Sequence, residues 1–142
     1  MNIIYVITGL GIGGAETQVC NLADEFSKLG NQVTIIYLTG EKVVTPSNSD
    51  VNIIALNMDK SILSVFKAFS KLVKLIKIIK PDVVHTHMVH ANLFTRIARI
   101  FSSIPLLIST AHNSNEGGKL RMLTYRFTDK LADITTNVGQ QS

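Results

Sequence analysis

At 142 residues the chain has the length of one domain, and 46% apolar against 17% charged residues excludes a disordered tail. The net charge of +4 suits anionic small molecules or a membrane surface, whereas the lack of interleaved basic and aromatic residues argues against nucleic acid. No apolar run reaches the ~18–20 residues that cross a bilayer. Met1-Asn2 lacks the basic start of a signal peptide, and the single cysteine, Cys20, excludes an internal disulfide and fits a reducing cytoplasm.

The chain opens with Ile3 to Ile7, a continuous apolar run of the kind that forms a strand buried on both faces. Gly9-Leu10-Gly11-Ile12-Gly13-Gly14-Ala15-Glu16 follows, then a helix whose apolar stripe is Val19, Leu22, Ala23, Phe26 and Leu29, with Gly30 as its stop. Cys20 lies on that stripe and reads as a small core residue. Gln32 to Leu38 is a second strand, Thr39 to Asp50 a polar loop, and Val51 to Leu56 a third strand. Ser61 to Lys80 is a long helix closed by Pro81, and Asp82 to His87 is the fourth strand. Ala91 to Phe101 (helix), Leu106 to Ala111 (strand), Lys119 to Leu131 (helix) and Ile134 to Val138 (strand) complete the order. Strands separated by helical crossovers predict an α/β fold: a doubly wound, mostly parallel Rossmann-like sheet with helices on both faces, spanning 1–142. The end at Ser142, directly after a strand with no closing helix, is expected of one domain of something larger.

Ligands bind open α/β sheets at the carboxyl ends of the strands. Three segments fall there: Gly9 to Glu16, His87 to His90 and His112 to Gly118. A strand, a glycine turn and a helix N-terminus aim backbone N–H groups and a helix dipole at one small volume, which suits a phosphate. Gly9, Gly11 and Gly14 match the dinucleotide pattern G-x-G-x-x-G, yet the second strand ends Ile36-Tyr37-Leu38-Thr39 without the acid that holds a ribose. An NAD-dependent oxidoreductase and a purely structural tight turn therefore stand beside the phosphate reading. His85 and His87 share one strand face, with His85 deeper and expected in the core and His87 expected at a ligand. His90 makes a three-imidazole metal site conceivable, but no cysteine or carboxylate clusters with them, so no metal is expected. His112, at the exit of the fifth strand, is placed to meet a sugar hydroxyl or a developing charge, with a loop-bracing role as the alternative. Glu116 is the only acid in the loop that follows. Lys67, Lys71 and Lys74 form a basic face on the 61–80 helix that suits anionic headgroups, or a solvated helix face.

With these pieces in place the sequence resembles the amino-terminal domain of family 4 retaining glycosyltransferases of the GT-B group. The residues that carry the likeness are Gly13-Gly14-Ala15-Glu16, Asn21-Leu22-Ala23, Leu29 to Thr34, Lys80-Pro81-Asp82-Val83-Val84-His85-Thr86-His87, Ser109-Thr110-Ala111-His112-Asn113, Tyr125-Arg126 and Leu131-Ala132-Asp133. The resemblance implies a domain that holds the acceptor, facing a carboxyl-terminal donor-binding domain absent from this chain. It implies transfer of a sugar from a nucleotide-sugar donor to an acceptor hydroxyl with retention, in bacterial surface polysaccharide synthesis. By the same likeness His112 is catalytic and Gly13 and Gly14 approach the donor diphosphate, while Glu16, His87, Asn113 and Glu116 are the residues expected on the acceptor side. Neither cofactor nor metal is implied, the nucleotide-sugar being a substrate. The partners expected are a nucleotide-sugar and a saccharide or lipid-linked acceptor, with peripheral membrane contact through the 61–80 helix and a cytoplasmic location at the inner face. The isolated domain is expected to be inactive. A non-catalytic binding module is the remaining alternative.

Overall fold

The computed structural model describes residues 1–9, 14–40, 42, 44–111 and 133–137. Within them the elements are β1 (Asn2–Ile7), α1 (Gly14–Lys28), β2 (Gln32–Tyr37), β3 (Asn52–Ala55), α2 (Ile62–Ile79), β4 (Val83–His87), α3 (Val89–Phe101), β5 (Leu106–Ala111) and β6 (Ile134–Asn137). The strands form one parallel sheet in the order β3-β2-β1-β4-β5-β6. The expected doubly wound architecture is present. The helix expected over Lys119–Leu131 lies outside the described residues.

Period-two alternation divides β1 between two cores. Ile3, Tyr5 and Ile7 turn toward α1 and pack with Val19, Cys20, Ala23, Val33 and Ile35. Ile4 and Val6 turn the other way, against Leu72 and Ile76 of α2 and Ala91 and Ala98 of α3. A strand buried on both faces needs apolar residues throughout, which is why β1 carries no alternation in its sequence. Cys20 is buried as expected, and that burial, with Asp24 and Glu16 nearby, pushes its thiol pKa up. Leu29 departs from the expected stripe. α1 stops at Lys28, Gly30 takes a φ of 94°, and Leu29 is left exposed on the departing turn.

Local signals set the ends of α2. Ser61 accepts a hydrogen bond from Ser64 N through its hydroxyl, and Lys80 closes the helix in the left-handed region with its N–H on Ile76 O. Polar ties hold the amino edge of the sheet. Asn2 N donates to Asp82 Oδ2 (2.8 Å) and Asp82 N to Asn2 O (2.7 Å), joining β1 to the approach of β4. Farther along, Asp133 Oδ2 accepts from Leu107 N (2.9 Å) and meets Arg99 Nη2 at 2.8 Å. The hydrogen bonds from Arg99 and Leu107 hold the Asp133 carboxyl below its usual range.

Because the folded-state pKa of Asp133 is depressed, its contribution is fully present above about pH 4 and fades as acid carries the pH down through the lowered value. Asp133→Asn should therefore lower the denaturation midpoint at neutral pH, with the gap to the parent closing on acidification. Urea melts at neutral and strongly acid pH measure this, and a gap that widens in acid would contradict it.

Candidate active site

Parallel register decides which chain segments meet. Ile7 pairs with His87 across β1 and β4, and His87 pairs with Thr110 across β4 and β5. The three strands therefore end side by side. Two inter-strand spacings of ~4.8 Å set the exits of β1 and β5 about 10 Å apart. β1 leads on one side to α1 and β2, and β4 on the other to α3 and β5. The crevice between β1 and β4 is thus the topological switch point where open α/β sheets take ligands.

Two helix N-termini flank this crevice. α1 begins at Gly14, with Ala15 buried and Glu16 half-buried in its first turn. A Cβ built on Gly14 would meet nothing within 4 Å, and Gly14 lacks the positive φ of Gly30 and Gly40. Among the described residues, packing thus gives no reason for glycine there. Gly9 differs: a Cβ would come within 3.2 Å of Thr39 O, so that position needs glycine for the approach of β1 to the chain leaving β2. The second helix, α3, starts at the same edge. Its N-cap, Met88, has φ 79° and makes no side-chain cap bond. Thr8 supplies a cap from across the crevice, its Oγ1 accepting from Ala91 N at 3.3 Å. Both helices direct the positive ends of their dipoles at the rim.

Each side of the β4 exit carries its own polar arrangement. On the α1 side the rings of His85 and His87 stand 4.2 Å apart, with Tyr5 5.5 Å from His85 and 6.2 Å from His87. Burial pushes the Tyr5 hydroxyl up to about 12, so it stays protonated at physiological pH. His85 Nε2 lies 2.8 Å from Thr110 Oγ1. On the α3 side a buried polar layer replaces apolar core. Thr86 Oγ1 bonds Asn92 Oδ1, Asn92 Nδ2 donates to Thr110 O (3.0 Å), and Arg96 Nε donates to Ser109 Oγ (3.2 Å). Met88 N also donates to Thr110 O (3.1 Å), so the carbonyl at the β5 exit is held from two directions.

The sequence-derived candidates separate at this point. Gly14 and Glu16 stand at the rim, at the start of α1. His87 also reaches the rim in the chain trace, but its side chain is fully enclosed while His85 is half-buried, the reverse of the expected depth. At the next residue Met88 takes a φ of 79°, the chain passes straight into α3, and Met88 packs against the Tyr5 cluster on the same side. An enclosed His87 does not match a side chain reaching an acceptor in this conformation. Gly13, His112, Asn113 and Glu116 lie outside the described residues, although Thr110 brings the chain to the shared edge two positions before His112. Among the described residues no group of three His, Cys, Asp or Glu side chains stands together as for a metal. β2 leaves the sheet through buried Leu38 and then Thr39, and the first acid after it, Glu41, is outside the described residues.

Sequence reading missed Asn92 and fully buried Arg96. The available signal was their i,i+4 spacing beside Ala91, Thr95 and Ala98, a run of small residues that lets α3 approach the sheet closely. Asn92→Ala would strip partners from a buried hydroxyl and help unclamp Thr110, at a cost of about 1–3 kcal/mol. A two-state urea titration should register that loss, and a variant as stable as the parent would deny the layer its structural role.

The chain shares its fold with GT-B glycosyltransferase structures. MurG from Acinetobacter baumannii superposes with a TM-score of 0.73 at 13% identity, covering 96% of this chain and 41% of that one. The lipopolysaccharide outer core galactosyltransferase WaaB gives 0.71 at 19% identity, over 95% and 38%. A UDP-GlcNAc 2-epimerase from Methanocaldococcus jannaschii gives 0.69 at 12%, over 95% and 38%. The chain thus spans about two fifths of the length of these structures. No curated protein sequence matches it significantly. The sequence profile described as Glycosyltransferase Family 4 matches residues 12–140, from the glycine turn through the last strand, and on that match the chain belongs to glycosyltransferase family 4.

Proposed function

We propose that this chain is the amino-terminal, acceptor-side domain of a retaining glycosyltransferase that moves a hexose from a nucleotide-sugar to an acceptor hydroxyl. Family membership supports the transferase reading. The observation that carries the site is the β1–β4 crevice, with a glycine at the start of α1 that no described neighbour requires on one side and the β5 exit about 10 Å away on the other. That span suits a diphosphate joined to a sugar ring.

In this mechanism the bond from the sugar carbon to the diphosphate oxygen breaks ahead of attack, leaving an oxocarbenium-like sugar and a diphosphate anion. In this reading the N–H groups of Gly13 and Gly14, with the α1 dipole, stabilise the leaving charge. His112 orients the sugar near its reacting carbon. Asn113, Glu116 and Glu16 belong to the acceptor side, and Glu16 also complements the α1 dipole. A second domain supplies most of the donor contacts, so the 142-residue chain alone does not turn over. The acceptor is a saccharide or a lipid-linked saccharide in surface polysaccharide synthesis, and the protein works at the inner face of a membrane, which α2 touches.

Gly14→Ala tests the ledge. In the full-length enzyme it should leave the melting temperature unchanged or slightly raised, because alanine is the better helix former. It should also diminish the thermal stabilisation produced by a panel of UDP- and GDP-sugars. Equal stabilisation of variant and parent would remove Gly14 from the donor site. His112→Ala should depress turnover of the responsive donor by at least about a hundredfold with little change in melting temperature. Retained turnover would eliminate His112 as the catalytic group, and turnover by the 142-residue chain alone would refute the two-domain reading.

A further inference from the structure

Where α3 lies on β4 and β5, buried side chains form a hydrogen-bond chain with one direction. Thr86, Asn92, Arg96 and Ser109 are all fully enclosed. Arg96 Nε donates to Ser109 Oγ at 3.2 Å, Ser109 Oγ lies 3.3 Å from Thr86 Oγ1, and Thr86 Oγ1 donates to Asn92 Oδ1. Ile108 O stands farther from Thr86 Oγ1, at 3.4 Å. A guanidinium stays protonated and only donates, whereas an amide oxygen only accepts. Each hydroxyl between them has one hydrogen, so the hydrogens of Ser109 and Thr86 run away from Arg96 and toward Asn92. That direction fixes which way round the Asn92 amide sits. Its oxygen faces Thr86, and its Nδ2 donates to Thr110 O at 3.0 Å.

The chain of bonds ends where the backbone leaves the sheet. Thr110 O also accepts from Met88 N at 3.1 Å, and on the other side Thr8 Oγ1 accepts from Ala91 N at 3.3 Å. The first turn of α3 is thus tied to the β1 exit through Thr8 and to the β5 exit through Asn92 and Met88.

We propose that Asn92 is a positioning residue for sugar transfer, oriented by the one-way chain from Arg96 through Ser109 and Thr86, and that it fixes the span between the β1 and β5 exits. This rests on the reading that the donor diphosphate lies on the β1 side of the crevice and His112 on the β5 side. A reacting group misplaced by about 1 Å can cost about a hundredfold in rate, so that span calls for a rigid tie. Apolar packing alone would hold α3 to the sheet without setting its direction. A hydrogen-bond chain that starts at an obligate donor is satisfied in one arrangement only. The glycine turn stands on β1 and α1, outside this chain, so donor affinity and the placement of the β5 exit are separable.

Near-isosteric variants of the full-length enzyme test this, assayed well below their melting temperatures with whichever UDP- or GDP-sugar the parent turns over fastest. Thr86→Val removes the hydroxyl and keeps the shape, Thr86→Ser keeps the hydroxyl, and Asn92→Leu removes both bonds of the amide. Thr86→Val and Asn92→Leu should lower kcat at least about tenfold with donor KM unchanged within roughly twofold, while Thr86→Ser stays near the parent. Hydrogen–deuterium exchange supplies a readout besides activity: it should rise over 106–111 in Thr86→Val and Asn92→Leu, but not over 1–8. Equal kcat losses in Thr86→Ser and Thr86→Val, or exchange that rises equally over both segments, would reduce the chain to general packing and overturn the proposal. Parent-like kcat in Thr86→Val and Asn92→Leu, with His112→Ala inactive, would overturn it and leave the site standing. Retained turnover in His112→Ala would overturn the site reading instead, and a kcat loss confined to Thr86→Val and Asn92→Leu would then still support the tie, acting on another group beyond Thr110. Should Asn92→Leu fail to fold, the two Thr86 variants decide.

Discussion

Parallel pairing at the centre of the sheet is the constraint on which the rest of the molecule depends. Each parallel connection must return over a face of the sheet before the next strand begins, so every crossover leaves from the same edge. The in-line pairing of Ile7, His87 and Thr110 brings three of these exits together, and the change of winding direction between β1 and β4 opens a crevice among them. Two helix N-termini arrive there as a consequence of topology alone. The opposite edge gathers the ties that hold the sheet in register, including Asn2 with Asp82 and Arg99 with Asp133. The candidate site and the bracing thereby lie at opposite ends of the sheet.

Support beneath the rim is polar on one side and aromatic on the other. Where α3 crosses β4 and β5, the layer of Thr86, Asn92, Arg96 and Ser109 occupies positions that apolar residues fill elsewhere in the sheet. A buried polar layer is directional in a way that apolar packing is not, because a shift of one side chain leaves its partners without hydrogen bonds. The clamp on Thr110 O by Asn92 and Met88 gives the β5 exit a defined position, and the family resemblance assigns the sugar-facing histidine just beyond that exit. The His85, His87 and Tyr5 rings, tilted against one another, pack on the other side of β4. α2 joins this scaffold to the outside: one face completes the core, while the other presents lysines and large apolar side chains to whatever the domain meets.

Much of the architecture was legible from residue order. Continuous apolar runs marked the buried strands, Ser61 and Gly30 marked helix ends, and alternating periods required parallel crossovers. These features are local, since propensity and burial act over one or two turns of chain, and the observed boundaries differ from the expected ones by a residue or two. The lysine face of α2 was legible for the same reason. Tertiary structure alone decided what depends on register and on chain reversal. It enclosed His87, and it gave Met88 a positive φ that no preference of its sequence announces. It buried the charged Arg96 beside Ser109, and among the described residues it left Gly14 without a packing neighbour while setting Gly9 against Thr39 O. It also joined α3's Phe101 to α2's outer face. Each of these outcomes depends on residues far apart in sequence meeting in space, and no local pattern encodes the distance between them.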